Sequence, residues 1–180
     1  MNFNCNTLVI FAIFFVTCLI NYPSTQANDE QIVIRMCSAT DMPAICKSCI
    51  DNSGREINQE LDVVIGALRC TYSDNYNLMN NLTQIARDAS DVTVKNVIGG
   101  CAQDYQSIQD GCMTIIQEAS KQSFVSAKAM IDTLIYPKMI ACDDAIKQSG
   151  IAIPPPFFGG SIIVAGDFNL VSQLLSIIKA

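Results

Sequence analysis

The stretch DVTVKNVIGGCAQDYQSIQDGCMTIIQEAS, residues 91–120, places Val94, Ile98, Cys101, Tyr105, Ile108, Cys112, Ile115 and Ala119 on one line. The intervals alternate between four and three residues along the whole stretch. That alternation keeps one stripe of an α-helix facing a neighbour, as in the seam of a helix bundle. Ser90 or Asp91 is suited to cap the start.

The same period extends to both sides of this seam. Upstream, Leu61, Val64, Ile65, Leu68 and Tyr72 continue as Leu78, Met79, Leu82, Ile85, Ala86 and Ala89, predicting a helix over about 58–89. Its polar stretch Asp74-Asn75-Tyr76-Asn77 is expected to be a weak point where the helix kinks. Downstream, Phe124, Ala127, Ile131, Leu134, Ile135, Cys142 and Ile146 predict a helix to about 147, ended by Ser149-Gly150. Pro137 lies inside it and removes one backbone hydrogen bond, so a kink is expected there. The run Ile153 to Gly160, with three prolines and two glycines, reads as a linker of polyproline character. A last helix over about 167–179 carries Phe168, Val171, Leu174, Leu175 and Ile178. Ahead of these, short helices over 29–39 and 41–51 flank Thr40-Asp41-Met42-Pro43, which offers a capping residue and a proline for a helix start. Asn52-Ser53-Gly54 marks the following turn. The fold class is all-α: an up-down-up-down four-helix bundle (56–180) preceded by a short N-terminal helical hairpin (28–55), because short connections favour antiparallel neighbours.

The N-terminus reads differently. The apolar run Leu8 to Ile20 is too short to span a bilayer comfortably, and Thr25-Gln26-Ala27 is a small-x-small cleavage site. Residues 1–27 are therefore expected to be a signal peptide and residues 28–180 the secreted domain. No second long apolar segment is expected, since Gly160 and Gly166 flank Ile162-Ile163-Val164-Ala165. The net charge of −6 argues against nucleic acid and suits a basic partner. The absence of histidine removes Ser-His-Asp and Cys-His catalysis and His-based metal sites. No catalytic residue, cofactor or metal site is expected. Seven cysteines follow the signal peptide: 37, 46, 49, 70, 101, 112 and 142. They should oxidise in a secreted protein, with at least one left over, and the sequence alone leaves their pairing open. Cys46-Lys47-Ser48-Cys49 lacks both the strand-turn-helix setting of a redox site and the second ligand pair of a zinc site.

Several of these residues together resemble the plant invertase and pectin methylesterase inhibitor family. They are Cys37-Ser38-Ala39-Thr40-Asp41-Met42-Pro43-Ala44-Ile45-Cys46, Cys101 followed by Tyr105, Cys142-Asp143-Asp144-Ala145-Ile146, and the closing Ser172-Gln173-Leu174-Leu175-Ser176-Ile177-Ile178. The resemblance runs over residues 29–180 in order. It departs at Pro137 and at the Pro154-Pro155-Pro156-Phe157-Phe158 segment. It implies the disulfides Cys37–Cys46 and Cys101–Cys142, which by loop entropy contribute about 2.7 and about 4 kcal/mol. Cys49–Cys70 is an optional third bridge, and Cys112 is expected to be a buried small hydrophobe.

The resemblance also implies a secreted, apoplastic inhibitor that covers the cleft of a pectin methylesterase in a one-to-one complex, without chemistry of its own. The alternative target is a cell-wall or vacuolar acid invertase. The invertase branch resembles a Pro-Lys-Phe tripeptide in the loop that here reads Ser120-Lys121-Gln122-Ser123-Phe124, and the tripeptide is missing. Gln103, Asp104, Gln106, Asp110 and Lys121 are the candidate target-binding residues. Asn81-Leu82-Thr83 is a candidate glycosylation sequon. From another class, a non-inhibitory helical carrier or a wall-associated binding protein is the rival reading. Neither a nucleic-acid nor a membrane partner is expected.

Overall fold

The computed structural model describes residues 24–178. Most of the expected signal peptide lies outside them. The proposed cleavage point after Ala27 falls in the first turn of the first described helix, so the mature chain would begin inside that helix.

The described residues form α1 (Ser24–Ser38), α2 (Pro43–Asn52), α3 (Glu60–Asp88), α4 (Val92–Ser120), α5 (Phe124–Met130), a π-helical turn (Ile131–Ile135), α6 (Tyr136–Ser149) and α7 (Pro155–Ile177). Helix α5, the π turn and α6 stack end to end as one rod. That rod, α3, α4 and α7 make the four-helix bundle, and α1 and α2 make the hairpin before it. Going round the bundle, α3 packs on α4, α4 on the rod, the rod on α7, and α7 back on α3.

Each helix end has a local cause. Asp91 caps α4 by accepting from the Val94 N–H at 3.0 Å. Asp62 closes the start of α3, accepting from the N–H of Asn58 and of Gln59, both at 3.1 Å. Its other oxygen takes Arg55 Nε at 3.0 Å and Nη2 at 2.7 Å. Burial would raise the Asp62 carboxyl, but Arg55 and the two amides outweigh it and hold the group below the usual carboxylate range. Gly150 ends α6 with φ +69°, a left-handed conformation that suits glycine. Pro43 opens α2, but Thr40 and Asp41 do not cap it. Thr40 Oγ1 turns back to the Cys37 carbonyl at 2.7 Å, and Asp41 exchanges two bonds with the Gln173 side chain of α7. The hairpin turn is thereby fastened to the last helix.

All of the α4 seam is buried except Val94, which is half-buried. On the rod, Ala127, Ile131, Ile135, Cys142 and Ile146 are buried and Phe124 is half-buried; Leu134 is 49% exposed. The π turn is the reason. It adds a residue to the local repeat, rotates Leu134 outward, and lets Tyr136 N–H reach the Ile131 carbonyl five residues back. The turn sits immediately before Pro137, whose missing N–H and bulky ring are incompatible with an ordinary α-turn. The expected kink is thus taken up as a widened turn.

Two further expectations are corrected. Asn75 does not mark a weak point, because α3 runs through it unbroken and its side chain is fully buried. The segment after Pro154 is no polyproline linker. Pro155 and Pro156 occupy the first turn of α7, where a missing N–H costs nothing, and the helix continues through Gly159 and Gly160. Phe157 is buried and meets Tyr105 edge-on, with ring centroids 6.4 Å apart. A Cβ at Gly160 would lie 2.7 Å from Leu78 Cδ1, so this glycine sets how closely α7 approaches α3. The resulting helix is long and apolar enough to cross a membrane by length and composition, contrary to the expectation of no second such segment. Nearly half of that stretch is buried in the protein, as a bundle's core helix should be.

The bridges Cys37–Cys46 and Cys101–Cys142 form as the resemblance implied, and Cys49–Cys70 forms the third. By loop entropy the third is worth about 3.4 kcal/mol. Cys112 is free and buried in the seam, where burial pushes its thiol up to about 12. Alkylation of the oxidised protein (residues 28–180) should therefore add nothing under native conditions. In denaturant without reductant it should add one group, on Cys112; three groups would mean that Cys49–Cys70 is open. Gly160→Val should destabilise by about 1–3 kcal/mol in chemical unfolding through the clash with Leu78.

Candidate functional site

On α4 the residues opposite the seam form the outward stripe. Gln103, Gln106, Asp110 and Lys121 fall on it at helical spacing, and all four are exposed. Gln106 Nε2 donates to Asp110 Oδ1 at 3.1 Å. Lys121 pairs with Glu118 at 3.0 Å in the turn at the end of α4, roughly 16 Å along the axis from Asp110. It is the remote member of the set. Asp104 sits off the stripe and half-buried, and Lys138 of α6 donates to it at 2.9 Å. This ion pair joins the outer surface of α4 to that of the rod. On the rod Leu134 and Ile140 are large apolar side chains left 49% and 57% exposed. The α4–rod face offers polar side chains, one bridging ion pair and the exposed Leu134, which suits recognition of a protein surface, while Ile140 lies on the far side of the rod.

Asn81 is exposed on α3 and Leu82 is fully buried, while the Thr83 hydroxyl bonds the Met79 carbonyl at 2.8 Å. The sequon therefore lies on the solvent side of a continuous helix.

Polar groups that the sequence did not place in the core lie inside the bundle. Asn75 Nδ2 donates to the Tyr105 carbonyl at 3.0 Å and to Gln109 Oε1, linking α3 to α4 at mid-height. Burial, with Asp143 and Asp104 nearby, pushes the Tyr105 phenol upward.

The second such group is Asp167 of α7, only 3% exposed, facing Asp74 of α3. Burial comes first and the Asp74 carboxyl second in pushing Asp167 up to about 7. A hydrogen bond between two carboxyls exists only while one proton is held between them. Among the described residues no group of three or more His, Cys, Asp or Glu side chains could hold a metal ion.

This architecture defines the class: a disulfide-bridged four-helix bundle with a helical hairpin in front of it. The crystal structure of a pectin methylesterase inhibitor from Arabidopsis thaliana has the same fold, with a TM-score of 0.60 over 83% of this chain and 97% of that one. The two sequences are 13% identical, so the likeness is one of fold. No protein-family model matches the sequence, and no curated protein matches it.

The Asp74–Asp167 contact has a measurable consequence. Asp167 binds its proton more tightly folded than unfolded, where its value is 3.8. The folded state therefore holds the extra proton between about pH 4 and about pH 7, and stability falls as pH rises through that window. Asp62 acts in the opposite sense, losing its contribution as pH falls through the acid range. Thermal unfolding should show the stabilising contribution of the Asp74–Asp167 pair falling as pH rises from about 4 to about 7. Asp167→Asn should flatten the limb between pH 5 and pH 8; an unchanged slope would mean that the pair does not share a proton.

Proposed function

We propose that the protein is a secreted inhibitor that occludes the active-site cleft of a pectin methylesterase in a one-to-one complex. The observation carrying this reading is the fold likeness, which spans 97% of a pectin methylesterase inhibitor. Support comes also from the bridges Cys37–Cys46 and Cys101–Cys142, which lie where the family resemblance calls for them. Three disulfides fit an oxidising, extracellular setting.

Inhibition of this kind requires a rigid surface and no chemistry. A bundle bolted by cross-links loses little entropy on docking, so more of the contact energy appears as affinity. The docking face is the outward stripe of α4 with Gln103, Gln106 and Asp110, extended by Asp104–Lys138 and Leu134 of the rod and by Lys121 at its end. The exposed Leu134 supplies apolar contact within a polar rim. The chain's net charge of −6 favours encounter with a basic enzyme. The turn Lys121-Gln122-Ser123, without the Pro-Lys-Phe tripeptide, weighs against acid invertase as the target.

Titrating the oxidised protein (residues 28–180) into a pectin methylesterase should remove activity stoichiometrically, and prior reduction should abolish the effect. No inhibition at large excess would overturn the target and bring invertase forward as the next enzyme to titrate. Leu134→Glu should weaken inhibition by tenfold or more while leaving the melting temperature within about 2 °C, because its side chain is exposed. Unchanged inhibition by that variant would move the docking surface off the rod.

A further inference from the structure

On the side of the bundle opposite the α4–rod face, α2 packs on α3 through Cys49 and Ile50 and stands off from α7. Cys49–Cys70 ties α2 to α3, and Asp41 with Gln173 ties the hairpin turn to α7. Between these two fastenings lies an open cleft of about 850 Å³. Its aliphatic lining is Met42 just before α2, Ile45 of α2, and Ile162 and Ile163 of α7, with Ser48, Asn52 and Ser73 among the polar residues beside them. Ile45, Ile162 and Ile163 are 48–58% exposed, unusual for three isoleucines gathered around one depression. Asp74 and Asp167 also line it, and once the proton between them is lost the buried Asp167 Oδ2 has no donor.

A cleft of this size is in the range of small-molecule sites, which are mostly apolar with a few converging polar groups. The polar end sets the ligand's charge. Two facing carboxyls carry at least one negative charge at neutral pH and repel phosphate, sulfate or carboxylate. A buried carboxylate oxygen without a donor is costly, and an ammonium group brings the donor and the compensating charge together. Arg69, exposed, adds a positive charge to the lining, so a single cationic head is favoured over two. Aromatic platforms for stacking a sugar are missing from the lining. We infer that the cleft between α2, α3 and α7 binds a small amphiphilic amine, its ammonium on Asp74 and Asp167 and its aliphatic body on Ile45, Ile162 and Ile163. The site lies across the bundle from the proposed inhibitory face, and its occupancy is independent of that reading.

The probe is n-octylamine, with n-octanol and n-butylamine as controls that keep only the tail or only the head. Amide chemical shifts of the oxidised protein should move on octylamine addition at residues around 45, 74, 162 and 167. Octanol and butylamine should each bind at least tenfold more weakly. Binding should tighten between pH 5 and pH 8, since the cation displaces the shared proton. Asp167→Asn should weaken it at least tenfold and remove the pH dependence. Ile162→Ser, at an exposed position that leaves the core intact, should weaken it by a smaller factor. Equal binding of octanol and octylamine would overturn the ammonium contact. Shifts centred elsewhere, no saturable binding, or full retention in Asp167→Asn would overturn the site.

Discussion

Cys101 and Cys142 meet where the α4 seam faces α6, and the rest of the bundle is arranged around that line of contact. The seam buries Ile98, Tyr105, Ile108, Cys112, Ile115 and Ala119 completely. Each large side chain removed from water contributes on the order of 1.5–3 kcal/mol, so this one stripe outweighs any polar interaction in the molecule. The disulfide adds a fixed register between α4 and α6. With that register set, Lys138 comes opposite Asp104, and the outward surfaces of α4 and the rod become one continuous face.

Proline governs the rod and the last helix in opposite ways. At Pro137, inside a helix, the missing N–H is absorbed by the π turn, and Leu134 is turned into solvent as a result. At Pro155 and Pro156 the same chemistry starts a helix, because the first-turn amides have no intrahelical partner to lose. The extra length this gives α7 has two effects. It brings Gly160 against Leu78 and Phe157 against Tyr105, sealing the upper core. It also leaves Ile162 and Ile163 standing beside the hairpin, where they wall the cleft.

The hairpin is held by means other than burial alone. Cys37–Cys46 closes it, Cys49–Cys70 fixes it to α3, Arg35 pairs with Glu60 at 2.7 Å, and Asp41 meets Gln173. Packed on α3 but standing off from α7, α2 leaves open the space lined by Asp74 and Asp167. The cleft is thus a consequence of how a short helix is fastened across two long ones.

Much of this was legible in the chain itself. Three-and-four periodicity placed α3, α4 and the rod, the Asp91 cap was readable, and the outward stripe of α4 followed from the seam by subtraction. An aspartate at 167 inside an otherwise apolar helix was a signal that could have been read, and so was a single asparagine at 75 in mid-helix. Periodicity tells which side of its own helix a residue occupies, because that depends only on the angle per residue. Which residue it meets on another helix depends on how the helices pack. Only the tertiary structure could therefore pair Cys49 with Cys70, bury Asn75 against Gln109, set Asp167 opposite Asp74, and turn a proline-rich segment into the start of a core helix.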